Sequence, residues 1–270
     1  MSGVFGTWML VRATSTDGEG KPMPAPYGGA PMGRVTLMPD SRMIAVTCDG
    51  RAQVPVGEPR DFSAYCGNAT YDGKTLVTRV FAASDPARIG SDQVRDVHFE
   101  GKTMVLRPPL RSYGGRPPEQ RELWWERISD TPKQATAKPS IVGTWGLTGG
   151  TRTAADGTLQ PPPYGGSTGL GRVALTQDGR LMCVLCDMRR DIPAGAQREF
   201  NSYCGTYTFD GRRLVTKVFA NSDPSRLSED QVREVHLEGK TMILRPPARA
   251  AAAGEPVVQR EVRWERIADV

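Results

Sequence analysis

Two stretches of the 270-residue chain carry the same motifs in the same order, and this duplication restricts the fold more than any other feature. Gly6-Thr7-Trp8 recurs as Gly143-Thr144-Trp145, and Pro26-Tyr27-Gly28-Gly29 as Pro163-Tyr164-Gly165-Gly166. Tyr65-Cys66-Gly67 recurs as Tyr203-Cys204-Gly205, and Ser84-Asp85-Pro86 as Ser222-Asp223-Pro224. Gln93-Val94-Arg95 returns as Gln231-Val232-Arg233, Arg107-Pro108-Pro109 as Arg245-Pro246-Pro247, and Trp125-Glu126-Arg127-Ile128 as Trp264-Glu265-Arg266-Ile267. The offset runs from 137 residues (Gly6 to Gly143) to 139 (Trp125 to Trp264), so insertions are single residues. A unit of about 130 residues is a whole domain, not a solenoid repeat. We expect domains at 1–128 and 140–270, joined by a polar, proline-containing linker at 129–139. Two such copies can pack about a pseudo-twofold axis, as a homodimer would.

Each unit has a β pattern. Short alternating runs at 34–37, 43–48, 62–71, 75–82, 93–100, 103–107 and 121–128 are separated by turn signals such as Asp49-Gly50 and Asp72-Gly73. No segment keeps a long helical period, although Ser84 or Asp85 can cap a short turn that begins at Pro86. Regular hairpins in this number predict an all-β fold of two antiparallel up-and-down barrels.

Composition removes several function classes. No apolar run is long enough to span a bilayer as a helix, and the first residues lack a secretory pattern, so a cytoplasmic protein is expected. A net charge of +5 is spread among interspersed acids and bases, which argues against a nucleic-acid partner. The five cysteines, Cys48, Cys66, Cys183, Cys186 and Cys204, are an odd number, which points to reduced thiols. No nucleotide-binding loop, serine elbow or zinc motif occurs, so neither a cofactor nor a metal is expected. The expected partner is a small molecule, with the chain a pseudo-dimeric monomer or a homodimer.

The ordered set of motifs resembles the bacterial lipocalin-like domain family of the calycin type. It comprises Gly-x-Trp, Pro-Tyr-Gly, a hairpin from Gly171-Arg172 to Asp178-Gly179-Arg180, Tyr-x-Gly, Ser-Asp-Pro, Gln-Val-Arg and Trp-Glu-Arg. The resemblance covers nearly all of each half and implies a barrel with a ligand cavity, but no single activity. Family members often carry a His pair in the fourth strand, where this chain has Thr78-Arg79 and Thr216-Lys217.

Strand parity nominates the chemistry. Gln93, Arg95, Val97 and Phe99 share the more apolar face, as do Gln231, Arg233, Val235 and Leu237, which puts Arg95 and Arg233 inside. There each arginine either packs over the opening tryptophan at the closed end or anchors a carboxylate, phenolate or enolate. His98 and His236 fall on the outer face beside acids; a one-residue slip would bring them inside as acid–base candidates. Tyr65 and Tyr203 are either core residues or donors to an oxyanion. Tyr27 and Tyr164 belong near a barrel mouth. Cys66, Cys204, Asp49 and Asp187 complete the candidate ligand contacts.

An interior holding Arg, Gln and Tyr is more polar than a carrier of greasy ligands requires. The reading is therefore a protein that binds a small hydrophobic or aromatic molecule and acts on it as a cofactor-independent isomerase, cyclase or lyase, through Tyr and Arg. The alternative is a non-catalytic binding or carrier protein.

Overall fold

The computed structural model of the protein describes residues 3–113, 115–129, 141–189, 192, 198–227, 229–250 and 256–268. Backbone contacts divide the chain into two compact units, Met1–Pro132 and Lys133–Val270. All but the first residue of the expected linker at 129–139 lies outside the described residues.

In the first unit, β1 (Gly6–Thr16), β2 (Pro31–Leu37), β3 (Arg42–Asp49), β4 (Phe62–Tyr71), β5 (Thr75–Ala83), β6 (Asp92–Glu100), β7 (Thr103–Arg107) and β8 (Gln120–Ser129) form a closed barrel. Each strand pairs antiparallel with the next, and β8 returns to pair with β1. The second unit repeats this with β9 (Gly143–Ala154), a two-residue β10 (Leu159–Gln160) hydrogen-bonded to β9, then β11 (Leu170–Leu175), β12 (Arg180–Cys186), β13 (Phe200–Phe209), β14 (Arg213–Asn221), β15 (Asp230–Glu238), β16 (Thr241–Arg245) and β17 (Val258–Ala268). Pairing of β17 with β9 closes it. The protein is all-β with two tandem barrels. Among the described residues no helix is long and apolar enough to cross a membrane.

The short helical segment expected after Ser84 is a single 3-10 turn, Pro86–Arg88, whose cap Asp85 accepts a hydrogen bond from the Ala87 amide at 3.0 Å.

The opening tryptophans plug one end of each barrel. Trp8 is buried and donates its Nε1–H to the Val4 carbonyl at 2.8 Å; Trp145 does the same to Ile141 at 2.9 Å. Trp8 belongs to a buried apolar cluster that includes Val35, Leu37, Met43 and Met104. The arginine over this tryptophan comes from the closing Trp-Glu-Arg motif. Arg127 lies 4.0 Å from the Trp8 ring centre and Arg266 lies 4.2 Å from that of Trp145. Arg127 also donates to the carbonyls of Gly3 and Phe5, and Arg266 to Val142. The expectation that Arg95 or Arg233 packs there is thus corrected: β8 and β17 run beside the opening strand, whereas β6 and β15 lie across the barrel.

Parity within β6 holds for Gln93, Arg95 and Val97, all buried, but not for Phe99, which is 40% exposed with its ring 6.2 Å from that of Trp8. β4 carries a bulge between Cys66 and Gly67. A Cβ at Gly67 would lie 2.1 Å from the Arg79 carbonyl oxygen, so the Tyr-x-Gly motif records a close strand approach beside Tyr65. All five cysteines are buried.

Replacing Arg127 by Met should remove the ring contact and both carbonyl hydrogen bonds, costing about 1–2 kcal/mol. Urea unfolding followed by tryptophan fluorescence would measure this, and an unchanged midpoint would show that the plug does not need the guanidinium.

Candidate functional site

The end of each barrel away from the tryptophan plug is left open. In the first barrel it leads into a cavity of about 740 Å³. Its floor is apolar, with Val35, Met43, Ala45, Leu106, Leu123 and Trp125. Its upper wall is cationic, with Arg88, Arg95, Arg111 and Arg121. The second barrel holds a cavity of about 260 Å³, and the equivalent arginines Arg226, Arg233, Arg249 and Arg260 line it.

These four come from different elements. Arg88 ends the 3-10 turn after β5, Arg95 points inward from β6, Arg111 follows the Arg-Pro-Pro loop after β7, and Arg121 begins β8. Arg95 is 7% exposed and spends its donors locally, on the Val94 carbonyl at 2.6 Å and on Gln93 Oε1 at 3.4 Å. Arg233 does the same with Val232 at 2.7 Å and Gln231 at 3.1 Å. Neither Arg95 nor Arg111 makes an ion pair among the described residues, and neither does Arg233, Arg249 or Arg260. Arg121 is paired, with Glu119 at 2.7 Å.

The other acids near the first mouth are already engaged. Asp61 accepts the Tyr27 amide at 3.1 Å and Glu58 lies 3.3 Å from Arg51. Burial, then the charges of Arg111 and Arg95, pull the Arg88 guanidinium below its ordinary pKa. Arg249 is lowered likewise by burial and then by Arg226, Arg260 and Arg233. Burial leads in both cases, and the neighbouring guanidinium charges add to it.

Among the buried donors without a hydrogen-bond partner in the described residues, Trp125 Nε1 and Arg111 Nε belong to residues of the first cavity, and Trp264 Nε1 and Arg260 Nε to residues of the second. An unmet buried donor is costly.

Tyr27 and Tyr164 close over the mouths. Their Pro-Tyr-Gly-Gly turns hold tyrosine at positive φ, 55° and 54°. The following Gly28 sits at φ 60°, in the left-handed region that favours glycine. Thr47 Oγ1 lies 3.0 Å from the Ser63 carbonyl, to which it donates its proton. The 2.9 Å contact between Tyr27 Oη and Thr47 Oγ1 must therefore have tyrosine as donor. Burial raises the pKa of Tyr27, Tyr164 and Tyr203, so these phenols stay protonated near neutral pH.

The remaining candidates divide. Tyr65 and Arg95 meet at the first cavity, and Tyr203 and Arg233 at the second. His98 and His236 do not reach either cavity. His98 is partly exposed, 3.6 Å from Glu100, and His236 is exposed, because the outward parity of β6 and β15 holds at these positions. Cys66 and Cys204 are buried but line neither cavity, since their neighbours Tyr65 and Tyr203 take the inward direction.

Asp49 and Asp187 also stay out of the cavities. Each carboxylate is enclosed and gripped by the arginine two residues on, Asp49 by Arg51 at 2.7 Å and Asp187 by Arg189 at 2.7 Å. Arg60 and Arg198 add hydrogen bonds to the backbone carbonyls of the same aspartates. These are loop clamps beneath the mouth. Parity on β6 and β15 identified Arg95 and Arg233 but missed the other arginines. Their signal is the repetition of Ser-Asp-Pro-x-Arg, Arg-Pro-Pro-x-Arg and Gln-Arg-Glu in both halves.

Residues 5–128 match the family model of the lipocalin-like domain. No curated protein matches the chain. Among solved structures, that of a protein of unknown function from the DUF3598 family of Nostoc punctiforme PCC 73102 aligns over 98% of this chain and 96% of its own, at 12% identity and a TM-score of 0.25.

Burial alone would raise the Asp49 carboxyl. The hydrogen bonds and charge of Arg51, with the charge of Arg60, more than reverse this and hold it below the usual carboxylate range. Its contribution to stability is therefore present above the unfolded-state pKa and lost as pH falls through the folded one. Asp49→Asn should lower the urea midpoint at pH 7 and shrink the further loss on going to pH 3. An equal acid loss in wild type and variant would contradict the clamp.

Proposed function

We propose, from the premise that residues 5–128 form a lipocalin-like domain, that the first barrel binds a small amphipathic carboxylate, with its apolar part on the floor and its carboxylate at the arginines. The observation that carries this is the set of guanidinium groups, two without an ion pair among the described residues, above an apolar floor. Arginine suits the task because its planar fork matches a carboxylate and stays charged when partly desolvated. The unpaired Trp125 Nε1 adds a donor for a further oxygen of the ligand. Binding would satisfy groups that are costly to leave unmet, so ligand-free arginines should be a stability liability and ligand a stabiliser.

Dodecanoate is a suitable probe, and calorimetric titration of the full chain tests the reading. Arg95→Met should weaken binding by about tenfold or more, equivalent to about 1.4 kcal/mol, while the melting temperature without ligand does not fall. Loss of stability with unchanged affinity would make Arg95 a structural residue and overturn the assignment.

A second reading, in which the barrel also acts on its ligand as a cofactor-independent isomerase, cyclase or lyase, draws on the convergence of Tyr65 and Arg95 on one cavity. Tyr65 would donate to an oxyanion that Arg95 stabilises, with solvent as the base. Proton exchange at the methylene of phenylpyruvate in D2O, followed by NMR, should then be accelerated by wild type and not by Tyr65→Phe. Equal rates with and without protein leave binding as the function.

A further inference from the structure

The two barrels share the arginines but differ in what lies beneath them. On β3, Met43, Ala45 and Thr47 all line the first cavity. Their equivalents on β12 are Leu181, Cys183 and Leu185, and of these Cys183 and Leu185 line the second cavity. Leu181 is fully buried below it. Val35 on β2 and its counterpart Val173 are both buried core residues, but only Val35 also lines a cavity. Both replacements near the mouth are enlargements, Ala45 to Cys183 and Thr47 to Leu185, and the volume falls from about 740 Å³ to about 260 Å³.

Depth follows from strand geometry. At about 3.3 Å per residue, Met43 lies about 13 Å along β3 from Thr47, whereas Cys183 lies about 7 Å along β12 from Leu185. The change also removes a polar contact. Thr47 takes the Tyr27 hydroxyl proton at 2.9 Å, but Leu185 has no group to take that of Tyr164. The second cavity nonetheless keeps Arg233, the unpaired Nε donors of Arg260 and Trp264, and Tyr203. It is shallow, cationic and rich in donors.

We propose that the second barrel is a separate carboxylate site for short or single-ring ligands, and that Cys183 and Leu185 set its depth. This rests on the reading of the arginines as carboxylate anchors. The chain would then carry two ligands of one charge class and two lengths, sorted by the residues at two positions in each barrel.

Calorimetric titration of the full chain with benzoate and with dodecanoate separates the claims. Benzoate should bind wild type at two sites and lose one in Arg233→Met. Dodecanoate should bind at one site, weaken about tenfold or more in Arg95→Met, and be unaffected by Arg233→Met. In the double variant Cys183→Ala, Leu185→Thr, dodecanoate should occupy two sites. Two dodecanoate sites on wild type, or one on a folded double variant, would overturn the depth filter. Benzoate binding that is indifferent to Arg233→Met would overturn the second site. Failure of dodecanoate to bind wild type at all would instead overturn the first-barrel reading. The loss of a benzoate site in Arg233→Met would still hold in that case, so the two failures are distinguishable.

Discussion

Closure of each sheet on itself is the constraint from which the rest follows. Once β8 pairs with β1, every inward side chain is committed to a narrow interior, and the chain must fill that space or line it. At one end it is filled. Trp8, tied to Val4 and covered by Arg127, leaves no room for a ligand. At the other end Ala45, Thr47 and the loop held by Tyr27 leave space, and several guanidinium groups line it. The same division into plug and mouth recurs in the second barrel with Trp145 and Arg266.

Charges placed in such a space need a counter-charge. The two copies differ at one pair: Arg88 and Arg226 keep Asp85 and Asp223 as partners, whereas the partner of Arg121 is not retained. Arg121 is paired with Glu119, which also accepts a hydrogen bond from Ser15. At the equivalent positions Arg260 remains, but Val258 stands where Glu119 would be. Arg260 therefore does not persist as half of the ion pair that Arg121 makes. The carboxylate ligand proposed above would give a partner to the guanidinium groups that lack an ion pair and to Trp125 Nε1 and Trp264 Nε1.

Much of the fold was legible because β structure has a short period and the chain repeats. The limits of β4 and β7 agree with the alternation, and the inward direction of Arg95 follows from parity alone. The site was legible only in part. Arg88 and Arg111 lie in loops, and Arg121 begins a strand beside one, where no period tells which way a side chain points. Asp49 and Asp187 resembled ligand contacts because they end strands at the mouth, but the arginine two residues on consumes each carboxylate. The role first considered for Arg95 at the plug belongs to Arg127, since proximity to Trp8 depends on which strand closes the barrel and not on the motif that holds the arginine.

The central claim is the orientation of an anionic amphiphile in the first barrel, and a crystal structure of the full chain with 12-bromododecanoate tests it most directly. The account predicts an anomalous bromine peak among Val35 and Met43, with the carboxylate within hydrogen-bond distance of Arg95 or Arg111. Bromine at the arginines, or a first cavity that stays empty at saturating ligand, would contradict it.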